Sequence, residues 1–179
     1  MGPAHSRLLA PIALTGFMGA GKSTVGSIVA ARLAVPFFDL DQEVVRISGR
    51  DIPTLFRQDG EAAFRQREAE ALSRLVRRKQ WGIWALGGGA VFNPAVRTCL
   101  QEAGAKVVWL RVDWPTVASR INRNGRPLLA GGEDASRQLL EAREPGYRQF
   151  SDWALDAEPR ADLVAGQIIR WLKEQGHVV

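Results

Sequence analysis

The sequence predicts an α/β fold in which helices cover both faces of a parallel β-sheet. Short apolar runs alternate with stretches of helical spacing along the 179 residues, which is typical of parallel strands joined by crossover helices. Most of the runs are apolar throughout, and this indicates strands that are buried on both faces. Residues 16–24 also match the pattern G-x-x-x-x-G-K-[ST] between the first apolar run and the first helix, which is the context of a phosphate-binding loop.

Each predicted element has its own local signal. Strands are predicted at the five apolar runs 12–15, 35–41, 83–86, 106–110 and 153–155. Helices are predicted in the stretches between and after them, over 25–33, 41–48, 61–79, 93–102, 115–122, 135–150 and 162–174. Cap and turn residues set several limits. Ser48-Gly49 stops the second helix, Asp51 is a good N-cap with Pro53 in the first turn after it, and Pro145-Gly146 interrupts the helix over 135–150.

The glycine-rich loop carries the chemistry of nucleotide binding. Its glycines let backbone N–H groups turn toward phosphate oxygens, and the following helix adds the positive end of its dipole. Lys22 supplies a cation for the β- and γ-phosphates, and Ser23 supplies a hydroxyl for Mg²⁺. We therefore expect a nucleoside triphosphate to bind at Gly19, Ala20, Gly21, Lys22, Ser23 and Thr24.

Composition argues against several other classes of protein. The length fits a single domain over residues 1–179. The single cysteine, Cys99, excludes an internal disulfide and fits a reducing compartment, so we expect a cytoplasmic location. No apolar run approaches the ~20 residues of a membrane span. The net charge is +5, but the arginines are scattered without an aromatic–basic ladder, so we expect neither a nucleic-acid nor a membrane partner.

Polar residues follow two further predicted strands. Asp39 and Asp41 close the second strand, and Gly87, Gly88 and Gly89 follow the third. Ligands of parallel sheets bind beyond the carboxyl ends of the strands, so these segments and the phosphate loop should meet in one cleft. Two acids at i and i+2 of a strand would point to the same side. The alternative is that Asp41 only caps the helix predicted to begin there.

Together these segments resemble the shikimate kinase family. The resemblance rests on residues 16–24, Phe38-Asp39-Leu40-Asp41, the Gly60-Glu61 to Glu68 segment, the triple glycine and Arg126-Pro127-Leu128-Leu129, and it spans nearly the whole chain. It implies a three-layer phosphate-loop kinase fold with a five-stranded parallel sheet, a substrate-binding region at about 41–79 and a mobile lid at about 123–134. It also implies a monomer that, with Mg²⁺, transfers the γ-phosphoryl group of ATP to the 3-hydroxyl of shikimate, in aromatic amino acid biosynthesis through chorismate.

The resemblance implies roles for residues on the acceptor side. Asp41 resembles the residue that hydrogen-bonds the shikimate hydroxyls, either as a positioning group alone or also as the proton acceptor. Arg65 resembles the arginine that grips the shikimate carboxylate, for which a guanidinium fork is suited; the alternative from spacing is an i,i+4 ion pair with Glu61. Gly87, Gly88 and Gly89 would bring bare backbone against the substrate ring.

Arg143 resembles a second arginine that binds the carboxylate. The family pattern after it has proline, a bulky residue and tyrosine. Here Pro145 and Tyr147 flank Gly146 instead, which is a departure from that pattern.

On the nucleotide side, Asp39 resembles the carboxylate that holds Mg²⁺ together with Ser23. Arg126 resembles the lid arginine that closes over the phosphates, so the catalytic residues would be Lys22, Asp41 and Arg126. Arg120 resembles the arginine that packs against adenine, although Arg123 competes for that role. Pro159 falls in the segment that forms the adenine-side loop of the family.

Two other functions remain as alternatives at this point. One is a related kinase for another small hydroxy-acid such as gluconate, or for a nucleotide. The other is a nucleotide-dependent switch without catalysis, although the chain has neither the Asp-x-x-Gly nor the Asn-Lys-x-Asp motif of the commonest version. A panel of acceptors distinguishes these alternatives.

Overall fold

The computed structural model describes residues 7–120 and 131–178. Within them, five parallel strands form one sheet with the order β2-β3-β1-β4-β5. The strands are β1 (Ile12–Thr15), β2 (Phe37–Asp39), β3 (Ile83–Ala85), β4 (Lys106–Arg111) and β5 (Trp153–Asp156). The predicted five-stranded parallel sheet is therefore confirmed, with each strand at its predicted run.

Helices flank this sheet along the described chain. They are α1 (Lys22–Leu33), α2 (Leu40–Ser48), α3 (Ile52–Arg77), α4 (Pro94–Glu102), α5 (Trp114–Arg120), α6 (Gly132–Gln149) and α7 (Ala161–Glu174), with a short 3-10 helix over Ala90–Phe92. Helix α1 packs against α7, and α3 packs against α2 and α4. None of the helices in the described ranges is long and apolar enough to cross a bilayer.

The core is centred on the middle strand, β1. Ile12, Ala13 and Leu14 are fully buried, as expected for a strand with a neighbour on each edge and helices over it. Because β1, β2 and β3 are parallel and adjacent to their neighbours in the sheet, their carboxyl ends open onto the same edge. The phosphate loop, Asp39 and the triple glycine leave the sheet at this edge.

Helix α2 begins earlier than predicted. The Asp39 side chain accepts hydrogen bonds from the backbone N–H groups of Asp41 (3.0 Å) and Gln42 (3.3 Å), so Asp39 is the N-cap and the helix starts at Leu40. The predictions that Asp41 lies on a strand with Asp39 or caps the helix are therefore wrong. Asp41 lies in the first turn of α2.

Two other helices differ from prediction. Asp51 caps α3 as predicted, through the Thr54 N–H at 2.7 Å, so the helix begins at Ile52. It runs on into the stretch predicted from residue 61, with a break at Gly60, where φ is 82° and ψ is 174°. Helix α6 starts at Gly132, so residues 132–134 of the predicted lid form its first turn. It also runs through Pro145 without interruption, because Leu140 and Tyr147 hold it against the core on either side of the proline.

Candidate active site

The loop after β1 forms the first wall of the site. Gly21 has φ +89° and ends the loop, and helix α1 begins at Lys22. The Lys22 side chain is only 8% exposed, and its ammonium donates to the carbonyl oxygens of Gly16 (2.8 Å) and Phe17 (2.9 Å). The loop therefore holds a buried cation at its mouth, beside a helix N-terminus, and both features favour a bound anion.

Ser23 connects this loop to the next strand. Its hydroxyl donates a hydrogen bond to Asp39 Oδ2, while Asp39 Oδ1 accepts the capping bonds of α2. One carboxylate thus ties the start of α1 to the start of α2. A hydroxyl and a carboxylate oxygen in direct contact are the hard oxygen donors that Mg²⁺ accepts, so the residues present fit this ion.

Two adjoining cavities open at the carboxyl edge of the sheet. The smaller, about 390 Å³, is lined by the phosphate loop together with Asp39, Asp41, Leu86, Gly88 and Arg120. The larger, about 490 Å³, brings together the residues predicted to bind the acceptor and an apolar wall from α2 and α3. Its lining residues are Met18, Ser23, Asp39, Asp41, Gln42, Val45, Ile52, Pro53, Phe56, Phe64, Arg65, Glu68, Gly87, Gly88, Gly89 and Arg143. Ser23, Asp39, Asp41 and Gly88 line both cavities, so the two spaces share one wall.

A buried ion pair supports the larger cavity. Arg65 Nη1 donates to Glu68 Oε2 at 2.9 Å, and Arg65 Nη2 donates to Glu61 Oε1 at 3.2 Å. Glu68 is 0% exposed, and its Oε1 has no hydrogen-bond partner within residues 7–120 and 131–178. Burial raises the pKa of Glu68, Arg65 opposes that shift, and Asp41 adds to it. Burial also disfavours the charge of Arg65, but the two carboxylates raise its pKa above the ordinary value.

Helix α6 closes the cavity on the other side. Arg143 lines the larger cavity, and its buried Nη1 has no hydrogen-bond partner among the described residues. One turn later, the hydroxyl of Tyr147 donates to the Gly88 carbonyl. Burial raises the pKa of Tyr147 to about 12, against the opposing effect of Arg143. Arg143 and Arg65 therefore bring two guanidinium groups to one cavity, which suits a ligand with an anionic group.

A third cavity, about 360 Å³, continues from the phosphate loop. It shares Gly21, Thr24 and Arg120 with the 390 Å³ cavity of the phosphate loop, and residues 157–161 form its far side. Arg120 donates to the carbonyl oxygens of Ala157 and Glu158, each at 2.9 Å, which fixes its guanidinium against that segment. The three cavities thus form one continuous groove with the phosphate loop in the middle.

Comparison with known proteins identifies the family. A family model described as shikimate kinase matches residues 18–173. The chain belongs to the shikimate kinase family. It is 39% identical over 162 residues to the shikimate kinase of Stenotrophomonas maltophilia, covering 88% of this chain and 89% of that protein.

Solved structures of this family agree with the fold. The shikimate kinase of Acinetobacter baumannii in complex with shikimate is 34% identical, covers 93% of this chain and 94% of its own, and superimposes with a TM-score of 0.87. A gluconokinase of Sinorhizobium meliloti, 18% identical over 96% of this chain and 99% of its own, reaches a TM-score of 0.59 and so shares the fold alone. As a member of the shikimate kinase family, the chain is an ATP-dependent small-molecule kinase.

Most residues that the shikimate kinase resemblance singled out lie along this groove. The phosphate loop, Asp39, Asp41, Arg65, the triple glycine, Arg143, Arg120 and Pro159 line one or more of the three cavities. Arg123 and Arg126 lie outside the described residues, as does most of the predicted lid. The i,i+4 pair of Arg65 with Glu61 is present, and it coexists with the placement of Arg65 in the cavity wall.

Glu68 is the site residue that sequence reasoning missed. Its spacing matches the apolar face of α3, and it lies in the segment that resembles the shikimate kinase family, but the sequence alone assigns it no role. A carboxylate on a buried helical face needs a partner, and Arg65, three residues earlier, is a cation on the same side of the helix. That combination was the available signal in the sequence.

Proposed function

We propose that the protein transfers the γ-phosphoryl group of ATP to the 3-hydroxyl of shikimate, giving shikimate 3-phosphate and ADP. Membership of the shikimate kinase family supports the proposal. The observation that carries it is the shared wall, because Ser23, Asp39, Asp41 and Gly88 border both the phosphate-loop cavity and the cavity with two arginines. A nucleotide and a small acid bound in these spaces would meet at that wall.

The proposed transfer forms one bond and breaks another. The substrate hydroxyl oxygen bonds to the γ-phosphorus, the bond from that phosphorus to the bridging oxygen of ADP breaks, and the hydroxyl proton leaves. Asp41 orients the hydroxyl, and its carboxylate is also available to take the proton. Lys22 and the loop N–H groups hold the phosphate charge, and positioning supplies much of the catalysis because the transition state is loose.

Each remaining predicted residue has a proposed task along the groove. Arg65 and Arg143 hold the substrate carboxylate, and Glu68 keeps the Arg65 guanidinium in place. Gly87, Gly88 and Gly89 let the backbone approach the ring. Arg120 and Pro159 border the adenine. Arg126, outside the described residues, is proposed to close over the phosphates.

Mg²⁺ is part of the same proposal. Ser23 and Asp39 would hold it, either directly or through water, at the junction of α1 and α2. When bound, the ion neutralises charge on the β- and γ-phosphates.

The deciding experiment measures ADP release from ATP and Mg²⁺ with shikimate, with gluconate and with no acceptor. We expect release that depends on shikimate and is slow in the other two reactions. Faster release with gluconate would assign the cavity to a different hydroxy-acid. ATP binding without stimulation by any acceptor would favour a nucleotide-dependent switch.

A further inference from the structure

Gly146 of α6 is required for space rather than for backbone conformation. It lies inside a regular helix and does not have a positive φ. A Cβ built on it would overlap Phe92 Cε1 and would lie 3.1 Å from Cζ and 3.2 Å from Cδ1 of the same ring. The Phe92 ring therefore occupies the place that any side chain at position 146 would take.

Phe92 is the last residue of the 3-10 helix that follows the triple glycine, and the triple glycine lines the larger cavity. Arg97 Nη1 donates to the carbonyl oxygens of Val91 (3.2 Å) and Phe92 (3.3 Å). The ring contacts Tyr147 edge to face, with centroids 5.2 Å apart. Tyr147 in turn donates to Gly88. The partly buried ring thus lies between this segment and one face of α6, in contact with Tyr147 and with the space beside Gly146.

The same ring borders the Arg143 guanidinium. Arg143 Cζ lies 5.6 Å from the centroid of Phe92 and 5.9 Å from that of Phe17, which belongs to the phosphate loop. Two aromatic rings therefore face a cation whose buried Nη1 has no hydrogen-bond partner in the part of the chain that the structure describes. Aromatic faces attract a guanidinium without using its N–H donors, so these contacts leave the buried Nη1 available to a ligand.

We propose that the Phe92 ring, seated in the space left by Gly146, positions the Arg143 guanidinium for the carboxylate of the acceptor. The proposal rests on the proposed function and adds a specificity-determining pair to it. Phe92 and Gly146 are complementary, because the ring of Phe92 fills the space that a side chain at position 146 would need. Phe92 acts through Arg143, so it is a positioning residue.

The test compares G146A, F92L and the double variant F92L/G146A with the wild type. In G146A the new methyl group displaces the ring, and we expect KM for shikimate to rise about fivefold because the guanidinium shifts with it. In F92L the aromatic face is lost, and we expect a rise of about threefold. In the double variant the smaller leucine relieves the overlap, so KM should stay within about twofold of F92L.

KM for ATP and kcat should change much less than KM for shikimate, because Arg143 lines the larger cavity and not the cavity of the phosphate loop. G166A is the matched control, because Gly166 lies within helix α7 and a Cβ there would meet only Arg32 Nη1, at 3.8 Å. We expect its KM for shikimate to equal that of the wild type.

Each other outcome is decisive. The inference is overturned if KM for shikimate is unchanged in G146A, or if KM for shikimate and KM for ATP rise equally. It is also overturned if the fold-rise in KM for shikimate in the double variant equals the product of the fold-rises in the two single variants. If G146A fails to fold, F92L decides alone, and an unchanged KM there is equally contrary. Absence of shikimate-dependent turnover in the wild type would instead contradict the proposed function.

Discussion

Arg65 donates to the fully buried Glu68 carboxylate at 2.9 Å and to the exposed Glu61 carboxylate at 3.2 Å. Glu68 thus contacts the guanidinium inside the protein, and Glu61 contacts it at the surface. Exposed pairs contribute little to stability, whereas removing one partner of a buried pair leaves the other charge uncompensated. The position of Arg65 in the cavity wall therefore depends mainly on Glu68.

This asymmetry predicts that Glu68→Gln will raise KM for shikimate about tenfold with a smaller change in kcat, because Arg65 loses its charged anchor but keeps its own charge. Glu61→Gln is the matched control, and its KM should stay within about twofold of the wild type because the pair is exposed. Initial rates over a range of shikimate concentrations give both constants. Equal effects of the two variants would show that Glu68 does not position Arg65.

The same pair predicts a pH dependence of stability. The pKa of Glu68 is raised in the folded protein, so the folded state holds this proton at pH values where the unfolded state has lost it. The stabilisation is complete below the unfolded pKa, near the ordinary value of 4.5, and is lost as pH rises through the folded pKa. The free energy of unfolding of the wild type minus that of Glu68→Gln should therefore fall as pH rises from about 4.5. Urea denaturation of both proteins over a range of pH measures this difference in the free energy of unfolding. A difference that rises with pH would contradict the prediction.

Asp41 lines both cavities, and its replacement tests the shared wall. Asp41→Asn keeps the shape but removes the negative charge, so we expect kcat to fall about a hundredfold. Asp39 remains as the cap of α2, so the helix should persist. Glu43→Gln removes a charge from the same first turn without touching either cavity and should leave kcat near that of the wild type. Similar losses in both variants would indicate a helix effect.

Tyr147 is the single tyrosine of the chain, so its ionisation can be followed by ultraviolet absorbance alone. Burial raises its pKa to about 12 from the ordinary value of 10.0. The stability that this shift provides is present below pH 10 and is lost as pH rises toward 12. A rapid pH jump, read before the protein unfolds, should give a midpoint near 12, and unfolded protein should give one near 10. A native midpoint near 10 would mean that the hydroxyl is exposed.

Gly60 has φ 82° and ψ 174° inside α3, a conformation that is essentially restricted to glycine. Gly60→Ala should therefore lower the free energy of unfolding by about 1–3 kcal/mol. Phe56 and Phe64 lie on either side of this break with ring centroids 4.8 Å apart, and both line the larger cavity. KM for shikimate should therefore rise as well. Urea denaturation and steady-state rates test the two effects. An unchanged free energy of unfolding would mean that the break can relax.

The sequence was sufficient for the features that depend on local pattern. Five strands, the phosphate loop and the cleft at the carboxyl edge follow from apolar runs and one motif, because the physics of each is contained in a few consecutive residues. Asp39 and Asp41 were correctly predicted to share the cleft, but for the wrong reason. The cap formed by Asp39 turns the chain into a helix and brings Asp41 back to the same wall.

The remaining features depend on contacts between distant segments. Pro145 is a helix breaker by itself, and the burial of Leu140 and Tyr147 around it outweighs that preference. Gly146 is understood only beside Phe92, which lies 54 positions earlier in the chain. The role of Glu68 requires knowing that its face of α3 is buried next to Arg65. In each case the deciding atoms are far apart in sequence or hidden by the fold.

The division of the groove has an evolutionary consequence. The phosphate-loop end of the groove is built from the loop after β1, from Arg120 and from residues 157–161, whereas Arg65 and Arg143 come from α3 and α6. Under the proposed function, substitutions on those two helices alter which alcohol is phosphorylated and leave the phosphate-loop end intact. New acceptor preferences could therefore arise stepwise in descendants of this chain, without any intermediate that has lost its phosphoryl donor.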